Sequence, residues 1–320
     1  MYSVLFRHMS NPSNPSTPTK IANAIKDISR ERAAADFARL KELAGNDTKG
    51  ALVASKAGCD CVDFFTFVER LHTVGYQGLS FFDFLEELPT LRKKAYVKSM
   101  VAYYRRERPD TPPLKMWYRI FSLYFGSINI FRPAMALSIY RLAPKTTLQN
   151  MDILDFTMGW GGRLVAAAAL GARSYTGIDL NSRLEAPYRR MTDFLRDQGS
   201  QIRIRLRFCD ALKINYSALK YNFVLTSPPY YDLETYRGMR GFATKDAWDA
   251  EFYRPLFQKT MANLAPGGLY CLNVPVEIYE RVCVPLWGAC NKKVPMSISS
   301  RNQGGDDEYK EFVYIWGVPP

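Results

Sequence analysis

Along residues 20–125 apolar side chains return every three or four positions: Ile21, Ile25 and Ile28, then Phe37, Leu40 and Leu43, then Phe64, Phe67, Val68 and Leu71. That period puts them on one face of a helix and predicts an all-helical N-terminal region over 20–126. Gly45-Asn46-Asp47, the glycines at 75 and 78 and the prolines at 109, 112 and 113 punctuate it into separate helices. Ahead of it, residues 1–19 carry Asn-Pro-Ser-Asn-Pro-Ser-Thr-Pro and too little apolar surface to offset ordering, so a disordered tail is expected. From about Met151 short apolar segments alternate with helical ones. Strands are expected at 153–156, 174–178, 202–208, 223–226, 269–274 and 312–316, with helices at 163–170, 184–196 and 252–263. The alternation predicts an α/β region over 127–320 with a mostly parallel sheet covered by helices on both faces. In 202–208 the residues Ile202, Ile204, Leu206 and Phe208 alternate strictly with Arg203, Arg205 and Arg207, the pattern of an edge strand with one wet face.

Composition narrows the class. With 320 residues, 47% hydrophobic and 14% aromatic, the chain has ample material for a core. No apolar run approaches the roughly 20 residues of a membrane span, and the N-terminus is too short in apolar residues for a secretory segment, so a soluble intracellular chain is expected, in cytoplasm, nucleoid or a viral setting. Six cysteines at 59, 61, 209, 271, 283 and 290 form no CxxC pair, and the two histidines are His8 and His72, which argues against zinc and against a disulfide framework. The formal net charge of +12 suits a polyanionic partner.

Two constellations carry chemistry. The first, Asp155-Phe156-Thr157-Met158-Gly159-Trp160-Gly161-Gly162-Arg163, leaves a strand and opens a helix, where glycines allow a tight turn and close approach of a ligand. The next strand ends in Asp179-Leu180-Asn181, where a carboxylate can accept from two ribose hydroxyls. A dinucleotide would want a third glycine where Leu164 stands, and the leading Asp155 would repel a pyrophosphate while suiting a methionine ammonium. The second constellation, Ser227-Pro228-Pro229-Tyr230, follows the fourth expected strand. Two prolines fix the backbone and donate nothing, so the carbonyls of Ser227 and Pro228 can face a cleft as acceptors for an aromatic amine, with Tyr230 to stack on its ring. Such a base must leave a duplex or come from a single strand.

In these residues the chain resembles the amino-methyltransferases of the class I Rossmann-like fold, which modify cytosine N4 or adenine N6 in DNA. The resemblance spans roughly 127–320. It implies S-adenosylmethionine as cofactor, held by Phe131 and Arg132 of the segment before the glycine turn, by Asp155, Phe156, Thr157, Gly159 and Gly161, by Asp179 and Leu180 at the ribose, and by Asp210 and Ala211 near the adenine. It makes Ser227, Pro228, Pro229 and Tyr230 catalytic, and the serine tilts the target toward DNA cytosine. The family's pattern has Pro-Phe where Phe156-Thr157 stands, and the chain has no long insert to read a sequence, which moves recognition toward the N-terminal helices. An RNA base and a catalytically silent nucleic-acid-binding subunit are the alternatives.

Other features receive plainer readings. The basic stretch 92–108, with Tyr96, Tyr103 and Tyr104, reads as a solvated helix face. Trp117, Tyr118, Phe121, Tyr124 and Phe125, at helical spacing, are expected to pack against the catalytic domain. The loop after the proline pair holds Tyr231, Tyr236, Arg237 and Arg240 and is expected to gate or read the base. A second polar loop, 297–307, has no assigned role. Cys271, Cys283 and Cys290 lack the partners of a nucleophile, which argues against C5-cytosine chemistry.

Overall fold

A computed structural model describes residues 16–46, 55–75, 77–126, 128–144, 147–148, 150–231, 238–296 and 311–317. The sheet is built from β1 (Asp152–Asp155), β2 (Ser174–Asp179), β3 (Arg203–Phe208), β4 (Phe223–Thr226), β5 (Leu269–Pro275), β6 (Lys292–Pro295) and β7 (Glu311–Gly317). Their spatial order is β3-β2-β1-β4-β5-β7-β6, with β1 to β5 parallel and β7 antiparallel to both β5 and β6. The α/β class and the mostly parallel, helix-flanked sheet expected from the alternating segments are what the chain forms. β3 is the edge strand its alternation predicts, its arginines exposed and Ile204, Leu206 and Phe208 half-buried. Strand order reverses between β1 and β4, and a crevice opens at that point beyond the carboxyl ends of both strands.

One sheet face is covered by α8 (Pro133–Tyr140), α9 (Gly162–Leu170) and α10 (Glu185–Asp197), joined there by α2 (Arg30–Gly45) and α3 (Cys59–Leu71). α9 begins and ends at left-handed glycines, Gly161 (φ 97) and Gly171 (φ 77), and its alanines let α8 and α2 lie close. The other face carries α12 (Arg254–Ala262) and the turns around it. The helix expected over 252–263 is α11 (Lys245–Trp248), a wide π-type turn Asp249–Tyr253, and then α12. Pro255 has no N–H to close the regular ladder, and a second such turn, Tyr279–Cys283, likewise precedes Pro285.

The remaining N-terminal helices are α1 (Ser16–Ile25), α4 (Phe81–Glu86), α5 (Leu88–Leu91), α6 (Ala95–Glu107) and α7 (Pro113–Tyr124). α1 starts inside the expected tail because Ile21, Ala22 and Ile25 bury themselves in a helical core; residues 1–15 lie outside the described residues. That core also corrects the reading of the 117–125 cluster. Trp117, Phe121 and Phe125 pack on Phe81, Phe84 and Leu88 of the N-terminal helices, not on the seven-stranded sheet. The division expected at residue 126 is not a division of the core, since Phe37, Leu40 and Val62 share one cluster with Ile153 and Leu164. Along the basic stretch Tyr96 and Tyr103 are exposed and Tyr104 is buried. Among the described residues no helix is long and apolar enough to cross a membrane, and no group of metal-ligating side chains forms.

Candidate active site

β1, β2, β3 and β4 end on one crevice, a cavity of about 770 Å³, in the upper part of the range typical of ligand pockets. Of the residues expected there, Phe131, Phe156, Thr157, Gly159, Asp179, Leu180, Asp210, Ala211, Ser227, Pro228, Pro229, Tyr230 and Arg240 line it. Arg132, Asp155, Gly161 and Tyr231 do not, and Tyr236 and Arg237 lie outside the described residues.

Asp155 is fully buried, and its carboxylate is saturated. It accepts from Arg163 Nε at 2.6 Å and Nη2 at 3.2 Å, from the Tyr175 hydroxyl at 2.6 Å and from the Thr226 hydroxyl at 2.9 Å. A carboxylate has about four acceptor positions. None remains for a ligand ammonium, so the direct role expected for Asp155 is corrected: it holds a cation. Arg163 also donates to the Thr157 carbonyl, lies 5.2 Å from the centre of the Phe131 ring and reaches the cavity wall. Asp155 therefore fixes, from below, the charged group that the cavity meets.

The glycine turn is held from both sides. Asp179 accepts from the Gly159 N–H at 2.8 Å and the Asn181 N–H at 2.9 Å, one on each oxygen, which leaves each oxygen further acceptor capacity toward the cavity. Burial pushes its carboxyl up to about 6 against the pull of those two bonds. Gly161 is needed for its positive φ and for room: a Cβ there would lie 2.7 Å from Met191. At Gly162 a Cβ would lie 1.9 Å from the Phe131 carbonyl oxygen, so this glycine lets the 128–131 segment close over the turn. From beneath, the Thr66 hydroxyl of α3 donates to the Trp160 carbonyl at 3.1 Å, and Arg70 donates to the Ile128 carbonyl at 3.3 Å. One N-terminal helix thus buttresses both walls of the crevice.

Across the cavity, the Tyr253 hydroxyl clamps the proline turn, donating to the Pro229 carbonyl at 2.6 Å and accepting from the Tyr231 N–H at 2.9 Å. Among the described residues, the carbonyls of Ser227 and Pro228 take no hydrogen bond, which keeps them available as acceptors. Tyr231 is a correction. It sits at φ 51 with its ring buried against Tyr253 and Trp248 and its hydroxyl on Asp249 at 3.0 Å, so it anchors the turn instead of meeting a base. Arg240 stands at the rim, largely exposed, paired with Glu251 at 2.8 Å and lying over the Phe242 ring.

The sequence places Gly162 and Arg163 in the glycine turn without a role of their own, and it does not single out Asn273. Asn273, 2% exposed on β5, accepts through Oδ1 from the Ser227 hydroxyl at 3.1 Å and the Tyr230 hydroxyl at 2.9 Å, and donates through Nδ2 to the Phe312 carbonyl at 3.1 Å. The available signal was a polar residue inside the apolar run Leu-Tyr-Cys-Leu-Asn-Val, which is tolerated in a core only when it is bonded. Cys271 and Cys283 are buried, with thiols pushed up by that burial, which disfavours the thiolate a nucleophile needs.

No family model matches the chain, and no curated protein matches it. Solved structures resemble it over part of its length. An rRNA methylase from Streptococcus thermophilus is 14% identical over 60% of this chain and 100% of its own, with a TM-score of 0.37. A tRNA m1G37 methyltransferase of M. jannaschii is 12% identical over 58% of this chain and 47% of its own, at 0.37. A candidate SAM-dependent methyltransferase from Streptococcus mutans is 16% identical over 61% and 52%, at 0.42. At such values these likenesses say nothing of this chain's substrate, and the sheet order and the site carry the reading.

Proposed function

We propose that the chain is an S-adenosylmethionine-dependent methyltransferase that acts on the exocyclic amino group of a nucleic-acid base. The observation that carries this is one cavity in which a glycine turn and a ribose-competent carboxylate, Asp179, face Ser227-Pro228-Pro229-Tyr230. The residues fit the cofactor by their chemistry. Asp179 keeps free acceptor positions for two ribose hydroxyls, Asp210 and Ala211 stand at the end of the neighbouring strand for the adenine, and Arg163 with Phe131 and Thr157 meets the methionine carboxylate. Bound there, the cofactor supplies an electrophilic methyl group. The chain's own part is positioning: the Ser227 and Pro228 carbonyls accept the amine N–H groups, which turns the nitrogen lone pair out of conjugation, and Tyr230 stacks on the base. No covalent adduct with the protein is needed, in keeping with the protonated, buried thiols.

By the resemblance, serine ahead of the prolines goes with cytosine N4 in DNA. The same hydrogen bonds serve an amine on an RNA base, and a charge of +12 suits either polyanion, so RNA is the second reading. Transfer of labelled methyl to single-stranded DNA, duplex DNA and RNA, offered in parallel, separates them. Ser227→Ala keeps the carbonyl but removes the hydroxyl that ties the turn to Asn273 and Tyr230, and the loosened acceptors are expected to lower transfer on the order of 100-fold with cofactor affinity unchanged. Equal loss of cofactor binding would move Ser227 out of the acceptor site.

Cofactor affinity is expected to depend on pH through Asp179. Its carboxyl titrates near 6 in the folded chain against an ordinary 3.8, so the ionised form that accepts ribose hydroxyls is lost as pH falls below about 6. The sign for folding is opposite. The folded chain holds this proton more tightly than the unfolded one, so the group favours folding at low pH and loses that contribution as pH rises from about 4 to 6. Calorimetry between pH 5 and 8 should show binding weaken toward pH 5 in the wild type, and a flat profile in Asp179→Asn at lower affinity.

A further inference from the structure

The Ser227 hydroxyl can meet a base either as donor or as acceptor, and which it does depends on where its own proton goes. Its neighbours are Asn273 Oδ1 at 3.1 Å and the Tyr230 hydroxyl at 3.1 Å. Oδ1 accepts only, and it has room for both hydroxyl protons. The amide could in principle be turned over, presenting Nδ2 to Ser227 and freeing the serine proton to point at the substrate. The Phe312 carbonyl of β7 forbids this, because it lies 3.1 Å from Nδ2 and would then face a second carbonyl-type oxygen. Asn273 is also 2% exposed, so no bulk water is at hand to satisfy a misplaced amide.

We propose that Asn273 is a positioning residue that sets the hydrogen-bond polarity of Ser227, so that the pocket takes a base through an amine N–H and rejects one that offers a carbonyl at the same place. This rests on the base-methylation reading and names its substrate class more closely. With the serine proton spent on Oδ1, the Oγ lone pairs face the cavity as acceptors, alongside the carbonyls of the proline turn. Cytosine N4 and adenine N6 satisfy such a set; the carbonyl oxygens of uracil and hypoxanthine oppose it. The antiparallel pairing of β5 with β7 thus acts at the reaction site, through the Asn273↔Val313 register and the Phe312 carbonyl beside it.

The test is equilibrium binding of the full chain, saturated with S-adenosylhomocysteine, to single-stranded oligonucleotides that differ at one base, cytosine against uracil or adenine against hypoxanthine. The wild type is expected to prefer the amine-bearing member about tenfold or more, the scale of one mispaired hydrogen bond. Asn273→Leu should reduce the preference toward unity, because the serine proton loses its fixed acceptor and can turn to the base. Asn273→Asp, kept neutral by burial with its carboxyl proton on the Phe312 carbonyl, still turns an acceptor to Ser227 and should retain the preference. Cofactor affinity, unchanged in both variants, reports that the site is folded. Preference that survives in Asn273→Leu, or is lost equally in Asn273→Asp, overturns the assignment. A wild type that transfers methyl but shows no amine preference overturns it alone. A wild type that shows the preference but transfers no methyl overturns the methyltransferase reading and leaves the assignment standing. A wild type that does neither overturns both.

Discussion

Gly162→Ala is expected to weaken cofactor binding sharply while leaving most of the helical content in place. The added Cβ would lie 1.9 Å from the Phe131 carbonyl oxygen and 3.1 Å from the carbonyl carbon, so the obstacle is backbone and cannot swing away as a side chain would. Either α9 or the 128–131 segment must retreat. α9 is locked in the core by Leu164, Val165 and Ala166, all with 0% exposure, so the segment that forms the cavity wall is the part that gives. Overpacking of this kind costs about 1–3 kcal/mol, and the displaced wall should lower cofactor affinity on the order of 100-fold. Gly159→Ala is the contrast. Its Cβ would meet nothing closer than 3.9 Å, and its φ of 56 costs an alanine only about 1–2 kcal/mol. Calorimetry with the cofactor and thermal unfolding of the two variants side by side measure the difference; similar affinities in both would remove the Phe131 contact from the account.

The largest loss of stability is expected from Asp155→Asn. It is nearly isosteric, yet it strips the charge that balances Arg163, whose side chain is 5% exposed. An uncompensated buried cation costs about 3–5 kcal/mol, a large share of the 5–15 kcal/mol that typically holds a domain folded. Adding Arg163→Met should recover part of that loss, because a buried pair replaced by apolar groups is often neutral or better. The double variant should not recover cofactor binding, since it lacks the cation proposed to meet the methionine carboxylate. Urea unfolding reads the first effect and calorimetry the second. Full recovery of binding in the double variant would show that Arg163 is structural only.

Much of the architecture was legible because it is local. The alternation around Arg203, Arg205 and Arg207 marks an edge strand on its own, and the glycine turn and the proline pair sit at strand ends that short apolar runs announce. What was not legible depends on distant segments. Asp155 follows a strand in the manner of a ligand-binding acid, and only the fold brings Arg163, Tyr175 and Thr226 to saturate it. Tyr231 adjoins Ser227-Pro228-Pro229-Tyr230, yet the wide turn before Pro255 places Tyr253 and Asp249 to hold it inward. Helical spacing of Trp117 and Phe121 established a buried face but not its partner, since Phe81 and Phe84 compete for that face from a shorter sequence distance. The short strand β6, Lys-Lys-Val-Pro, shows no hydrophobic alternation long enough to detect, and forms because β7 offers it a free edge. The helical region expected to serve recognition supports the site through Thr66 and Arg70, contacts that no periodicity encodes.

In the reaction proposed for this chain, the cavity joins a methyl donor to the exocyclic amine of a base. Mass spectrometry of nucleosides digested from single-stranded DNA and RNA after incubation with the protein and isotopically labelled S-adenosylmethionine reports the acceptor atom directly. Labelled N4-methylcytosine or N6-methyladenine is the expected product, strongly reduced in Ser227→Ala. Label on a ring carbon or on a sugar hydroxyl, or no labelled nucleoside from either polymer, would contradict it.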